Sequence, residues 1–355
     1  MTRYSRRTAL SLASLSAAAS ALAACSSSSP SSSGASAGPG APSTAGPSGA
    51  PAPGAASTLV PTTVPEGMGS GQADGVFPRT VAHFQGETVI EATPSKVVII
   101  ATGQLDAALT LGVVPVGAAS GDGAGTVPDY LTTAFPDHAA DLGRITSIGT
   151  RSKPDTETIG SLAPDLILMN ISGKDAEALY TTLTQIAPTV ATQGTGQYWK
   201  QDFLLVADAL GKPDTAKTWL ETFHTDAAAA GQRLGSSATV SLLRKNGDRT
   251  RIFGTVSFAG SVLADMGVAR PESQSFTDET SMDISQEQLT QADGDWILYG
   301  VQGGDAGELT SMALWPTLTA VIDNQAVQVE DDPFYLNAGP TAARFVMDTV
   351  SATIK

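Results

Sequence analysis

The sequence predicts an α/β protein of two lobes joined by a helical connector, with a ligand cleft between the lobes. Three observations carry this expectation. From about Phe77 onward, short β-branched apolar runs alternate with segments whose apolar residues recur at helical spacing, the pattern of parallel βαβ crossovers. Midway, Tyr198 to Leu234 lacks strand character altogether. After it the alternation resumes, and the 355 residues, 41% of them hydrophobic, suffice for two lobes.

In order, Thr80 to Glu91 holds two extended runs around Gln85-Gly86 and reads as a hairpin. Lys96 to Ala101 (KVVIIA) suits a strand buried on both faces. Gln104 to Leu111 is a helix, and Val113 to Ala118 the next strand. Helices at Thr156 to Leu162 and Lys174 to Gln185 alternate with strands at Asp165 to Met169 and Thr189 to Ala191. The connector places Phe203, Val206, Ala207 and Leu210, then Trp219, Leu220, Phe223 and Ala227, at helical intervals, interrupted only at Gly211-Lys212-Pro213. Beyond it come strands at Thr239 to Arg244 and Arg251 to Gly254, helices at Ser261 to Met266 and Ser285 to Ala292, strands at Trp296 to Gly300 and Val327 to Val329, and a last helix at Pro340 to Ile354.

Composition removes several function classes. With 20 Lys and Arg against 35 Asp and Glu, the formal charge is −15, which repels nucleic-acid backbones. No apolar run reaches the roughly 18 to 20 residues of a membrane span. His83, His138 and His224 are isolated and offer no metal-ligand spacing. Ser120 and Ser257 lie near glycines without a GxSxG elbow, Gly173-Lys174 lacks the upstream glycine of a phosphate loop, and Gly194 and Gly196 are followed by Trp199 where GxGxxG needs glycine. No catalytic constellation and no metal cage is visible.

The N-terminus reads as an address. Arg3, Arg6 and Arg7 precede an uncharged Ala- and Leu-rich stretch, Thr8 to Ala24, the layout of a signal peptide. Arg6-Arg7 leaves both the general and the twin-arginine export routes open. Leu22-Ala23-Ala24-Cys25 resembles a bacterial lipobox, in which the cysteine is acylated after cleavage; Cys25 is the only cysteine. Ser26 to Ser57 contains only Ser, Ala, Gly, Pro and Thr and reads as a disordered tether of about 30 Å root-mean-square span. The expected divisions are a signal peptide at 1–24, Cys25 and tether at 25–75, an N-terminal lobe at 76–197, the connector at 198–234 and a C-terminal lobe at 235–355.

Four segments carry a family resemblance: KVVIIATGQLDAALTLGVVPVGAASG (Lys96 to Gly121), IGTRSKPDTETIGSLAPDLILMN (Ile148 to Asn170), FAGSVLADMGVARP (Phe258 to Pro271) and DISQEQLTQADGDWILYG (Asp283 to Gly300). They resemble substrate-binding lipoproteins of bacterial ABC importers, most of all the ferric-siderophore branch, whose relatives also carry haem or cobalamin. The resemblance implies two Rossmann-like lobes on one long helix, the class III periplasmic-binding-protein fold, which closes only slightly on its ligand. It implies a monomer anchored outside the cell membrane that hands its cargo to an importer permease driven by its ATPase. No resident cofactor or protein ligand to iron is required, because the chelator fills the metal's coordination shell.

The resemblance also matches Glu157, in PDTETIG, and Glu287, in ISQEQL, to the acidic residues that dock on permease arginines. Helix capping is the other reading of both. For the cleft it points to Arg151 and Arg244 at strand ends. Four aromatics join them: Trp199 before the connector, Tyr299 at a strand end, Trp315 in SMALWP and Tyr335 in DPFYLNAGP. Strand ends and loops are where such folds bind ligands. The overall acidity favours a neutral or cationic hydroxamate chelate over a strongly anionic one. An exported hydrolase is the alternative of a different class, and it lacks a nucleophile with a partnered base.

Overall fold

The computed structural model describes residues 59–121, 124–235 and 237–354. The expected signal peptide at 1–24, Cys25 and the Ser26 to Ser57 run lie outside the described residues.

The hairpin forms as expected: β1 (Arg79–His83) and β2 (Gly86–Ile90) pair antiparallel with His83 opposite Gly86. The N-lobe follows with β3 (Val97–Ile99), α1 (Gln104–Thr110), β4 (Gly117–Ser120), α2 (Asp129–Ala134), α3 (Ala139–Leu142), β5 (Thr146–Thr150), β6 (Lys153–Pro154), α4 (Thr156–Ser161), β7 (Leu166–Asn170), α5 (Ala176–Leu183) and β8 (Thr189–Thr192). Its six-stranded sheet has the order β6-β5-β4-β3-β7-β8 and is parallel except at β6. β3 and β7 are buried on both faces, which is why their sequences are unbroken apolar runs.

The connector is two helices, α6 (Trp199–Ala209) and α7 (Pro213–Leu234), and not one. Gly211 adopts φ +73° and Pro213 takes the first turn of α7, where a missing N–H does no harm. The C-lobe comprises β9 (Val240–Asn246), β10 (Arg249–Phe253), α8 (Phe258–Asp265), β11 (Ser281–Ile284), β12 (Trp296–Val301), α9 (Gly307–Thr310), α10 (Thr319–Ile322), β13 (Ala326–Gln328) and α11 (Pro340–Thr353). Its sheet, β11-β10-β9-β12-β13, is mixed: β9, β12 and β13 are parallel, and β10 is antiparallel to both β9 and β11.

Three further expectations change. The strand expected at 113–118 lies at Gly117–Ser120, because Gly112 turns the chain out of α1 and the Val113 amide bonds back to the Ala108 carbonyl at 2.8 Å. The helix expected at 285–292 is a tighter 3₁₀ helix at Gln286–Ala292. Residues 59–75, assigned to the tether, fold onto the body instead. Asp74 accepts from the Asp214 amide at 2.8 Å and the Thr215 amide at 3.1 Å, capping α7 from outside the helix. Ser70 and the fully buried Arg79 both meet Asp208 on α6, the guanidinium at 2.8 Å.

The same device joins the lobes. Asp106 on α1 accepts from the Thr341 and Ala342 amides, each at 2.8 Å, at the N-terminus of α11, and from the Tyr130 hydroxyl at 2.9 Å. Asp293 likewise serves the Thr319 amide at 2.8 Å. Part of the chain's acidity is therefore spent as acceptors for helix N-termini on other segments.

Candidate functional site

In each sheet the chain leaves neighbouring strands in opposite directions, and ligand crevices form at such switch points. In the N-lobe the pair is β3 and β7, and their following loops bring Gln104 and Asn170 into a cleft of about 540 Å³. In the C-lobe it is β9 and β12, which bring Arg244, Asn246 and Gln302 to the same cleft. Trp199, Asp202, Phe203 and Val206 of α6 form its floor. The volume falls within the roughly 300–1,000 Å³ of small-molecule sites.

On the N-lobe side the groups are mostly neutral. Gln104 is buried, and its Nε2 donates to the Met169 carbonyl at 2.8 Å and to Thr192 Oγ1 at 3.1 Å. Its Oε1 is buried and meets no hydrogen-bond donor of the protein. Gly103, at φ +85°, lets the start of α1 pack against the Ala338 backbone, since a Cβ there would fall 2.5 Å from the Ala338 carbonyl oxygen. Arg151 follows β5 on the same side, its amide donating to the Ser120 carbonyl at 3.0 Å.

The C-lobe side is cationic. Arg244 is buried and grips Asp331 in two-pronged fashion, Nε to Oδ1 at 2.7 Å and Nη2 to Oδ2 at 2.6 Å. Gly300, its register partner on β12, leaves room for this: a Cβ there would sit 2.7 Å from the Tyr335 ring and 2.9 Å from Asp331. Tyr335 packs on Phe253 at 4.9 Å and donates its hydroxyl to the Leu298 carbonyl at 2.8 Å. Burial, with the Asp331 charge next, pushes that phenol above its ordinary range. Arg249 and Arg251 also line the cleft, from β10.

Among the described residues, Asp202 is the acidic one that lines the cleft. It accepts from the Gln193 amide at 3.0 Å and the Gly194 amide at 2.7 Å, yet burial outweighs these bonds and pushes its carboxyl up to about 6. A second cavity adjoins at Gln302 and Leu336, and Asp129, Glu330, Asp331 and Asp332 give it the opposite sign.

Of the six residues expected at the cleft, Arg151, Arg244, Trp199 and Tyr335 line it. Trp199 is locked: its indole N–H donates to Ser261 Oγ at 3.0 Å, and its ring meets Phe223 and Phe258 edge-on. Tyr299 and Trp315 do not line it, and this is a correction. They pack edge to face at 5.1 Å inside the far-side core of the C-lobe, with Ile297, Val301 and Leu309. The reason is strand parity. On β12, Trp296 and Leu298 face the core that reaches the cleft, whereas Ile297, Tyr299 and Val301 face away. A strand end alone does not decide the face.

Arg249, Arg251 and Gln104 escaped the sequence reading. The signal was present as alternation: Arg244, Asn246, Arg249 and Arg251 flank Gly247-Asp248, as one face of a hairpin would.

Glu157 and Glu287 are both exposed. At α4 the free amides are already served by Asp155, which accepts from Glu157 N and Thr158 N at 3.1 Å each. At the 3₁₀ helix, Ser285 and Gln288 form the capping box, and the Glu287 carboxylate, held below its ordinary range, accepts from Ser285. Capping therefore does not require the Glu157 carboxylate. Among the described residues there is no helix long and apolar enough to cross a membrane and no His, Cys, Asp and Glu cluster suited to a metal ion.

Comparison with known proteins brings these features together. A family model described as periplasmic binding protein matches residues 107–333. The probable siderophore-binding lipoprotein YfiY of Bacillus subtilis is 31% identical over 292 residues, covering 77% of this chain and 86% of the relative. The iron(3+)-hydroxamate-binding protein FhuD of the same organism is 28% identical, covering 70% and 78%. Among solved structures, Staphylococcus aureus SirA complexed with staphyloferrin B superposes with a TM-score of 0.65 at 26% identity, over 78% of this chain and 99% of that one.

Proposed function

The chain belongs to the periplasmic binding protein family, with the class III fold of two α/β lobes on a helical connector, and from that premise we propose that it captures a ferric siderophore outside the membrane and delivers it to an ABC importer. The observation that carries the reading is the inter-lobe cleft. It lies at the switch points of both sheets, has a volume of about 540 Å³, and is lined by guanidinium, amide and aromatic groups. Such a surface grips the oxygen-rich rim of a chelate. Iron needs no protein ligand there, because the chelator supplies the coordination.

Capture calls for little movement. Asp106 caps α11 across the lobes, and Trp199 ties the connector to α8 through Ser261. Delivery would fall to Glu157 and Glu287, exposed carboxylates on the two lobes that would meet the permease of an importer powered by its ATPase. Cys25 would be lipidated, holding the protein to the membrane. Cys25→Ser is then expected to move the protein from the membrane fraction to a soluble or mislocalised pool. Unchanged membrane association would count against the anchor.

The capture claim is tested by titrating the soluble body with ferric siderophores, haem and cyanocobalamin, following tryptophan fluorescence and visible absorption. Saturable binding of a ferric siderophore, with haem and cobalamin weaker, is the expected result. Preference for haem or cobalamin, or no binding of any ferric chelate, would overturn the reading.

A further inference from the structure

We propose that residues 59–79 form a splint across the break in the connector, and that this splint, through Asp74, limits how far the two lobes open. The break is where the lobes can turn. α6 packs on α1, β1 and β8 of the N-lobe, whereas α7 packs on α8 and α11 of the C-lobe. Each lobe thus carries its own connector helix, and a change of angle between them falls on Leu210 to Lys212. Gly211, at φ +73°, has the backbone freedom that a hinge uses. The N-terminal end of α6 is fixed to α8, by Trp199 on Ser261 and by Lys200 on Asp265 at 2.6 Å. Its C-terminal end is held by the splint.

The splint follows α6 and then crosses the break. At its start the Leu59 carbonyl accepts from Gln197 Nε2 at 2.9 Å, next to Gly196 of the cleft lining. Midway, Gly69 and Ala82 of β1 exchange backbone hydrogen bonds, and Ser70 donates both its amide and its hydroxyl to the Asp208 carboxylate on α6. At the break the Gly75 amide donates to the Gly211 carbonyl at 2.9 Å, and Phe77 packs so closely that a Cβ on Gly211 would fall 2.6 Å from its ring. Arg79 lies over that ring and donates to the Asp208 carbonyl and carboxylate, each at 2.8 Å. Beyond the break, Asp74 and Asp214 cap each other. The Asp214 amide donates to Asp74 Oδ1 at 2.8 Å, the Asp74 amide to Asp214 Oδ2 at 3.2 Å, and Thr215 gives Asp74 Oδ2 its amide at 3.1 Å and its hydroxyl at 2.6 Å. The splint is therefore bound to the N-lobe through β1 and α6 and to the C-lobe's helix through Asp74. Opening that bends the break must first part Asp74 from the first turn of α7 and strand two helix-end amides. Asp74 is exposed, so water can take over these bonds and the restraint is reversible.

The test measures lobe separation in the full chain carrying Cys25→Ser, which leaves no native cysteine. Spin labels at Thr181→Cys on α5 and Ile322→Cys on α10, both exposed, report the distance between the lobes. Asp74→Ala is expected to broaden that distance distribution about two-fold. Asp74→Asn, which keeps an acceptor oxygen for the α7 amides, is expected to fall between. Asp293→Ala is the control, since it removes the same kind of cap from the Thr319 amide, away from the connector; it is expected to lower the unfolding midpoint without widening the distribution. An unchanged distribution in Asp74→Ala, or equal broadening in Asp293→Ala, would overturn the splint. A wild-type measurement covers a variant that fails to fold: the Asp214 and Thr215 amides are expected to exchange about 100-fold more slowly than those of an uncapped helix end. Exchange at the uncapped rate would overturn the splint as well. These readouts involve no ligand, so loss of the splint would leave siderophore capture standing, and the reverse.

Discussion

The N-lobe meets the cleft with the carboxyl ends of parallel strands, whereas the C-lobe meets it with the flank of an antiparallel hairpin. Parallel strands stop in loops, and what they offer is backbone and short neutral side chains such as Gln104 and Asn170. An antiparallel pair presents every second side chain of both strands on one face, so β9 and β10 can set several guanidinium groups side by side. The comparison teaches that one wall can shape a ligand pocket while the other supplies its charge, though both lobes are α/β. It also shows why a residue's distance from a strand end predicts little without its parity.

The largest expected effect breaks the far side of the C-lobe and leaves the cleft alone. Trp315→Ala is expected to lower unfolding free energy by about 3–5 kcal/mol, as for other buried aromatics, with siderophore Kd unchanged within two-fold. Urea unfolding and fluorescence titration give both quantities. A large change in Kd without loss of stability would return Trp315 to the ligand site.

Next in size is the joint between the lobes. Asp106→Ala strips acceptors from two α11 amides and the Tyr130 hydroxyl. An expected loss of about 3 kcal/mol combines a missing cap with stranded buried donors. Loss below about 1 kcal/mol in urea unfolding would show that the lobes do not depend on this cap.

The N-lobe carries an acid-sensitive group for which the hairpin wall has no counterpart. His83 is buried on β1: its Nδ1 accepts from the Gln85 amide at 3.1 Å, and its Nε2 lies 2.9 Å from Thr88 Oγ1. That hydroxyl already donates to the Thr189 carbonyl, so the geometry fits a neutral imidazole with its proton on Nε2. Burial lowers its pKa to about 4 from 6.5. The unfolded chain thus binds more protons between these values, and stability falls as pH drops through that window. From pH 7 to 4.5 the expected loss from this group is ~2–3 kcal/mol. His83→Gln is expected to flatten the pH dependence of unfolding; an unchanged slope would show that other groups set it.

The smallest expected effect on capture is at the permease-facing carboxylates. Replacing both Glu157 and Glu287 with Ala is expected to leave siderophore Kd within about two-fold, roughly 0.4 kcal/mol, while cellular uptake falls strongly. Lost binding in solution would assign them to stability or to the cleft.

Much of this architecture was legible in the sequence. KVVII announces a doubly buried strand, and Gly211-Lys212-Pro213 announces the break between α6 and α7. β5 was not legible, because TSIGT places only Ile148 in the core and its other side chains are small or polar. The fold of residues 59–75 was hidden as well. It depends on Ser70 and Asp74 meeting the Asp208 carboxylate and the α7 amides from far along the chain. At the site, Arg244 was legible through the family resemblance, although β9 runs on past it to Asn246, and Arg251 only from the hairpin register.

The most direct test of where capture occurs is amide hydrogen exchange of the wild-type body with and without a saturating ferric siderophore. Protection is expected in the loops after β3, β7 and β8, at 100–104, 170–172 and 192–196, and along the β9–β10 hairpin. Residues 309–318, which carry Trp315 and pack with Tyr299 in the far-side core, are expected to stay unchanged. Protection confined to the acidic cavity, at 129–130, 302–304 and 328–332, with none in the hairpin, would contradict the account.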